Sequence, residues 1–267
     1  IYDWDSRWAM EDSKGPRNDG LHHQEMLLKY YRAFRKQGMN VDLIDMDCGI
    51  EGYQVLVLPM TYMFKQGFVE KVRAFVEQGG VLITTYWSGI ADDTDRCYLG
   101  GTPHGLMDVL GLRSTEIDGL FDWEENQFMP VDGNELGLFR EYTCKYLCDL
   151  VRLDGAQALM TYGSDFYQGY PALTVNRYGK GSAWYVAADA EQVFQEDFIA
   201  KLLEHEEICG AVPGEIPEGL EVTTRETEDV RYYIYQNFGT GRVMLPLPEG
   251  ETETVFGDPK QELEPYG

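Results

Sequence analysis

Apolar positions along the first two-thirds of the chain switch between two periods. Leu27, Tyr31 and Phe34 recur at spacings of four and three, which predicts a helix over 18–37 with Gly38 as its left-handed stop. Val41-Asp-Leu-Ile44 predicts a short strand. The run Val55-Leu-Val-Leu58, inside Tyr53–Pro59, is continuously apolar and bounded by Gly52 and Pro59, as expected of a strand buried on both faces. Phe68, Val72, Phe75 and Val76 share one face of a helix over 67–78, closed by Gly79-Gly80. Val81–Tyr86 is a second buried strand, and His104–Gly111 a short helix. The opening Ile-Tyr-Asp-Trp-Asp reads as the end of a strand. Strand, helix and strand with short Gly-rich connections predict an α/β fold around a doubly wound, mostly parallel sheet.

The pattern then changes. Residues 112–169 suggest several short strands, and 141–150 has no clear single period. Ala172–Arg177 and Ser182–Ala188 flank Tyr178-Gly-Lys-Gly181 as a hairpin. Ala190–Glu204 closes the unit as a helix, with Val193, Phe194, Phe198, Ile199, Leu202 and Leu203 apolar. Five Gly and Pro residues between Cys209 and Gly219 mark a linker. Beyond it, Leu220–Arg225, Arg231–Phe238, Gly241–Leu247 and Thr252–Phe256 are strand-like. The expected organisation is an α/β domain over 1–208, a linker over 209–219 and a small antiparallel β domain over 220–267. A core from so short a segment is thin for independent folding.

The 267 residues include 22 basic and 46 acidic ones, a formal charge of −24. A field of that sign repels phosphate, so no nucleic-acid partner is expected and an anionic membrane surface is disfavoured. No run of 18 apolar residues predicts a membrane-spanning helix. Five scattered cysteines, Cys48, Cys97, Cys144, Cys148 and Cys209, suit a reduced, cytoplasmic protein. Cys144 and Cys148 lack the companions of a zinc site, and no metal or cofactor is expected.

Motifs for chemistry are sparse. No G-x-G-x-x-G follows a strand, and Gly179-Lys-Gly181 lacks the rest of a phosphate-binding loop. Ser88 follows a strand, but position 86 is Tyr where a nucleophile elbow requires Gly. None of His22, His23, His104 and His205 is placed as a base for Ser88, and Cys97 has no elbow glycine either. Asp92-Asp-Thr-Asp95 is a dense acidic loop without the spacing of a calcium loop. Asp3, Asp5, Trp4 and Trp8 form an aromatic-acidic patch, residue types that suit sugar binding and equally a packed strand end.

The same residues carry a resemblance. Tyr2-Asp-Trp-Asp-Ser6 with Trp8-Ala-Met-Glu11 resembles the opening of the central domain of glycoside hydrolase family 42 β-galactosidases. The likeness continues through Tyr30-Tyr-Arg-Ala-Phe34, Gly38, Val41-Asp42, Val55–Pro59 and Gly79–Tyr86. Its most specific stretch is Ser88-Gly-Ile-Ala-Asp-Asp-Thr-Asp95 leading into Tyr98-Leu-Gly-Gly101. Pro171–Thr174 and Arg177–Gly181 resemble the closing hairpin of that domain. The resemblance covers residues 1–205, and the β tail fits the family's small C-terminal domain.

This resemblance implies a class I amidotransferase-like, flavodoxin-like fold that mediates trimerisation of identical subunits. The family's two catalytic glutamates, set about 5 Å apart for retaining hydrolysis, belong to a TIM barrel that binds the galactoside. No position of this chain matches them. The expected function is therefore non-catalytic oligomerisation within a β-galactosidase, with no catalytic residue here. Neighbouring central domains help wall each active site in the family. The candidates for that wall, or for a subunit contact, are Trp87, Asp92, Asp93, Asp95, Arg96 and Tyr98. Two alternatives stand beside this reading: a stand-alone amidotransferase-like hydrolase without a recognisable nucleophile, and a sugar-binding module built on Trp4, Trp8, Trp87 and Trp123.

Overall fold

A computed structural model describes residues 1–13, 15–16, 21–250, 252–256 and 261–267. The helices are α1 (Trp4–Ser13), α2 (His23–Lys36), α3 (Phe68–Glu77), α4 (Met107–Leu110) and α5 (Gln192–His205). The strands up to the middle of the chain are β1 (Val55–Leu58), β2 (Met63–Phe64), β3 (Val81–Thr85), β4 (Ala91–Asp92), β5 (Leu112–Gly119), β6 (Asn126–Pro130) and β7 (Tyr142–Leu153). They continue with β8 (Gln157–Tyr162), β9 (Pro171–Tyr178), β10 (Gly181–Val186), β11 (Ala188–Ala190), β12 (Leu220–Glu226), β13 (Arg231–Asn237), β14 (Val243–Met244) and β15 (Glu262–Leu263).

Two compact units are formed. One comprises Ile1–Leu28 and Leu43–Phe194, the other Lys29–Asp42 and Gln195–Gly267. The first holds a sheet of nine strands among the described residues, ordered β1-β3-β10-β9-β8-β6-β7-β11 with β5 beside β7. Only β1–β3 and β3–β10 pair in parallel, and every other pairing in it is antiparallel. The mostly parallel expectation is thus corrected to a mixed sheet. The apolar runs of β1 and β3 do mark parallel strands, but between β5 and β10 no helix crosses from strand to strand, and the chain returns through loops or, at β9–β10, a tight hairpin into antiparallel pairing. All of β3 and β10 is buried, which is why their sequences show no alternation. The hairpin β9–β10 turns at Gly179, whose φ is +59°. A Cβ there would lie 2.6 Å from the Cα of Glu77, so both conformation and space call for glycine.

Two further expectations are corrected and two are refined. Ile1 and Tyr2 bond to the carbonyls of Val57 and Ile44, as a strand end would, but the chain turns into α1 at Trp4. Asp3 causes the turn: its carboxylate accepts the Ser6 N–H at 2.7 Å, the contact of an N-cap. Residues 41–44 form no strand. Helix α2 begins at His23, with 21–22 not helical, and positions 18–20 of the longer expected helix lie outside the described residues. The aperiodic 141–150 stretch is the long strand β7, interrupted where Tyr146 takes φ +66° and the pairing with β11 shifts between Ala188 and Asp189. That bulge shifts the two-residue alternation along the strand.

In the second unit, β12 and β13 pair in antiparallel register from Leu220↔Asn237 to Glu226↔Arg231, and β14 pairs with β15. Val212, Ile216, Leu220 and Val222 form a small core with Tyr233, Tyr235, Leu245 and Leu263 packed against it. The expected strand over 241–247 is reduced to Val243–Met244, and 252–256 is not a strand.

In the first unit, α1 is fixed by charge as well as by its cap. The Lys65 ammonium lies 2.7 Å from Asp3 and within 3.5 Å of Asp5, Asp45 and Asp47. Burial pulls the Lys65 pKa down, but hydrogen bonds and charge from Asp3, Asp5 and Asp45 outweigh it and raise the pKa overall. Asp3 is 1% exposed, so Lys65 is the countercharge of a buried carboxylate. Asp3→Ala removes the cap and leaves the ammonium short of its most buried partner. Equilibrium urea unfolding is expected to show a loss of about 2–4 kcal/mol, and a change within about 0.5 kcal/mol, the scale of an ordinary surface substitution, contradicts this role.

Candidate functional site

The parallel strands β1 and β3 end side by side, and the chain leaves them in strained turns. Met60 has φ +46°, Trp87 +59° and Gly89 +60°. Buried backbone groups at these ends need partners, and side chains supply them. Thr85 Oγ1 accepts the Met60 N–H at 2.7 Å, and Ser88 Oγ accepts the Thr61 N–H at 3.1 Å while donating to the Leu58 carbonyl at 3.4 Å. Ser88 is buried and committed to these bonds, so it is a structural clasp rather than an exposed nucleophile.

The segment 87–98 brings all six candidate residues to one end of the sheet. Trp87 is buried at its base and stacks on Tyr62, centroids 5.9 Å apart at 22°. Asp92 organises the loop. Its Oδ1 accepts the Thr94 hydroxyl at 2.6 Å, the Thr94 N–H at 3.0 Å and the Arg96 N–H at 3.2 Å, while Arg96 Nε donates to Oδ2 at 3.2 Å. Those bonds, the Thr94 hydroxyl foremost, hold the Asp92 carboxyl at about 2. Asp92 is therefore consumed by its own loop. Asp93, Asp95 and the Arg96 side chain are exposed. Tyr98 stacks on His104, centroids 3.8 Å apart at 9°.

Sequence reasoning missed three contributors. Tyr62 carries the stack beneath Trp87, and burial followed by a hydrogen bond with Asp95 raises its pKa. His104 backs Tyr98. Asp149, on β7, lies under the same end of the sheet, fully buried, with the Tyr185 hydroxyl donating to its Oδ2. Burial raises the Asp149 carboxyl to about 7, tempered by Tyr185, by Ser114 and by the backbone amide of Trp87. Of the three, the sequence singled out only His104, and that as a base candidate rather than as a ring beside Tyr98.

The arrangement offers outward carboxylates and aromatic faces, suited to hydroxyl-rich or cationic groups. Among the described residues no three His, Cys, Asp or Glu side chains converge as metal ligands. No helix among them is long and apolar enough to cross a membrane.

Comparison with known proteins gives the family. A family model described as the β-galactosidase trimerisation domain matches residues 1–209, and one described as the β-galactosidase C-terminal domain matches 219–267. The chain belongs to the β-galactosidase trimerisation-domain family. Among its relatives, the β-galactosidase BglY of Alicyclobacillus acidocaldarius is 41% identical over 97% of this chain and 38% of its own length. The β-galactosidase Pbg of Clostridium perfringens is 38% identical over 100% of this chain and 39% of its own. The crystal structure of the β-galactosidase from Rahnella sp. R3 superposes with a TM-score of 0.91 at 42% identity, over 100% of this chain and 39% of that one. The chain thus spans under two-fifths of these relatives. A haloarchaeal β-galactosidase from Halorubrum lacusprofundi keeps the fold, TM-score 0.82, at 20% identity.

The Asp149 proton carries a pH signature for this family member. In the unfolded chain an aspartate loses its proton near 4, whereas the folded protein keeps this one to about 7. Between those values the folded state binds the extra proton, so stability falls as pH rises, by a total on the order of 4 kcal/mol. Asp149→Asn is expected to flatten that part of the pH–stability curve relative to wild type. Parallel curves from pH 4 to 7 would contradict a buried neutral Asp149.

Proposed function

We propose that this chain is the assembling portion of a β-galactosidase. In this reading it joins identical subunits into a homotrimer and does no glycoside chemistry itself. Hydrolysis of terminal β-D-galactosides with retention belongs to a part of the enzyme outside the matched stretch. The observation that carries the reading is the match of residues 1–209 to a trimerisation-domain model, in relatives of which the chain covers only 38–39%.

The acidic loop fits beside it as a wall for a neighbouring subunit's active site. It stands at the carboxyl ends of parallel strands, where α/β sheets present ligand-binding groups. Tyr98 supplies a partly exposed ring while Trp87 is buried at the base, Asp93 and Asp95 are exposed carboxylates of which Asp95 also bonds Tyr62, and Asp92 with Arg96 is the frame that holds them. The parallel strip β1-β3-β10 with α3 beside it is compatible with an amidotransferase-like ancestry for this unit. Five free thiols, three of them exposed, suit the reducing conditions of a cytoplasm.

Light scattering of the 267-residue chain across a concentration series, paired with a chromogenic galactoside assay, tests the proposal. The expected outcome is a mass three times that of one chain and no turnover above buffer. Turnover would overturn the non-catalytic reading, and a monomer at every concentration would overturn autonomous assembly.

A further inference from the structure

Trp87 takes a backbone conformation that bulky L residues seldom adopt, with φ +59°. Such a turn persists only where its surroundings hold it. Thr85 and Ser88 serve the N–H groups of Met60 and Thr61, and neither serves that of Trp87. No backbone carbonyl among the described residues accepts the Trp87 N–H. What it faces is the carboxyl of Asp149.

Two consecutive carbonyls tie Asp149 to the end of β3. The Tyr86 N–H donates to the Val186 carbonyl at 2.8 Å, and the Asp149 N–H to the Ala187 carbonyl at 2.7 Å. The Tyr162 hydroxyl bridges the carbonyls of Ala187 and Asp149 at 2.9 and 3.2 Å. The Tyr185 hydroxyl occupies Oδ2 of Asp149, whereas Oδ1 is buried and closes no full hydrogen bond. Ser114 also faces the carboxyl, but its hydroxyl donates to the Glu116 carbonyl at 3.4 Å. The Trp87 N–H is therefore the donor left for Oδ1. The titratable groups facing Asp149 among the described residues are the phenols of Tyr185 on β10 and Tyr162 on β8, with the Cys148 thiol adjacent on β7 itself. None of them is a cation, so dipoles alone answer an ionised Asp149.

We propose that Asp149 is the positioning residue of the 87–98 loop: when ionised, its carboxylate draws in the Trp87 N–H and locks the left-handed turn from which the loop leaves the sheet. A hydrogen bond to a carboxylate is shorter and about twice as strong as one to a neutral acceptor. The lock reaches the loop through rings, since Trp87 stacks on Tyr62 and Tyr62 bonds Asp95. Burial holds the Asp149 proton to about 7, so the loop is looser below neutral pH and tighter above it. That this loop walls a neighbour's active site rests on the reading above, where the proton sets how Asp93 and Asp95 are presented. The coupling itself does not need that reading.

The test is an NMR titration of the full 267-residue chain from about pH 5 to 9, the range around a raised carboxyl. It follows the Asp149 carboxyl carbon, the Trp87 amide proton and the amides of 92–98. The Trp87 proton should move downfield in one step that shares the Asp149 midpoint, and the 92–98 amides should move with it. Hydrogen-exchange protection of Trp87 should rise about fivefold across that step relative to Tyr86, whose N–H is bonded to Val186 throughout. Asp149→Asn keeps the shape and removes the charge, so the Trp87 step should vanish. Any step the variant keeps at Tyr98 belongs to a group such as His104 beside it. A Trp87 step that survives in Asp149→Asn overturns the proposal. Wild type decides alone if the variant does not fold. A Trp87 amide that stays still while Asp149 titrates, an Asp149 that never titrates in this range, or 92–98 amides that ignore a Trp87 step each overturn it. A trimer whose 92–98 loop lies away from the neighbour's active site would sink the wall reading and leave this coupling standing.

Discussion

Where β1 and β3 end, backbone donors are buried without water, and every one left unpaired would cost stability. The ladder between the strands cannot serve them, because it stops at Leu58↔Thr84. Thr85 and Ser88 take over, bonding to Met60 and Thr61 across the gap. Both side chains reach these donors only if the backbone turns sharply, and the left-handed Met60, Trp87 and Gly89 are that turn. The direction in which the 87–98 loop leaves the sheet follows from this requirement. So does the stacking of Trp87 on Tyr62.

The parts of the fold legible in the sequence were those whose side-chain period is set locally. Phe68, Val72 and Val76 are buried on α3 as their spacing implies, and the β9–β10 hairpin closes around Gly179 as its turn residues require. What was not legible depended on contacts distant in sequence. Helix α1 hides behind an apolar Ile-Tyr start, and its cap, Asp3, is stabilised by Lys65 far along the chain. Strand β7 lost its alternation to a bulge that only its pairing with β11 defines. Parallel pairing was extrapolated from two genuine cases into a region where hairpins decide.

The candidate loop was legible through resemblance rather than through chemistry. Residue types pointed to an acidic cluster but did not separate Asp92, which its loop consumes, from Asp93 and Asp95, which face outward. That distinction needs the hydrogen bonds. Asp149 was invisible for a different reason: a lone Asp in a strand of mixed polarity has no local signature, and its interest comes wholly from burial beside Tyr185.

A net charge of −24 would seem to forbid assembly of identical chains, yet total charge is the wrong quantity. At physiological salt, exposed charges more than about 8 Å apart are largely screened, so copies respond to the charges at the contact itself. At the β5–β6 tip Asp122, Glu124 and Glu125 are all exposed, with Glu124 accepting a backbone N–H and Glu125 paired with Lys145. Glu124 makes its bond to Phe121, and so fixes an exposed ring in place. An acidic chain can thus remain soluble while local ion pairs such as Glu125–Lys145 lower the charge that a neighbouring surface meets.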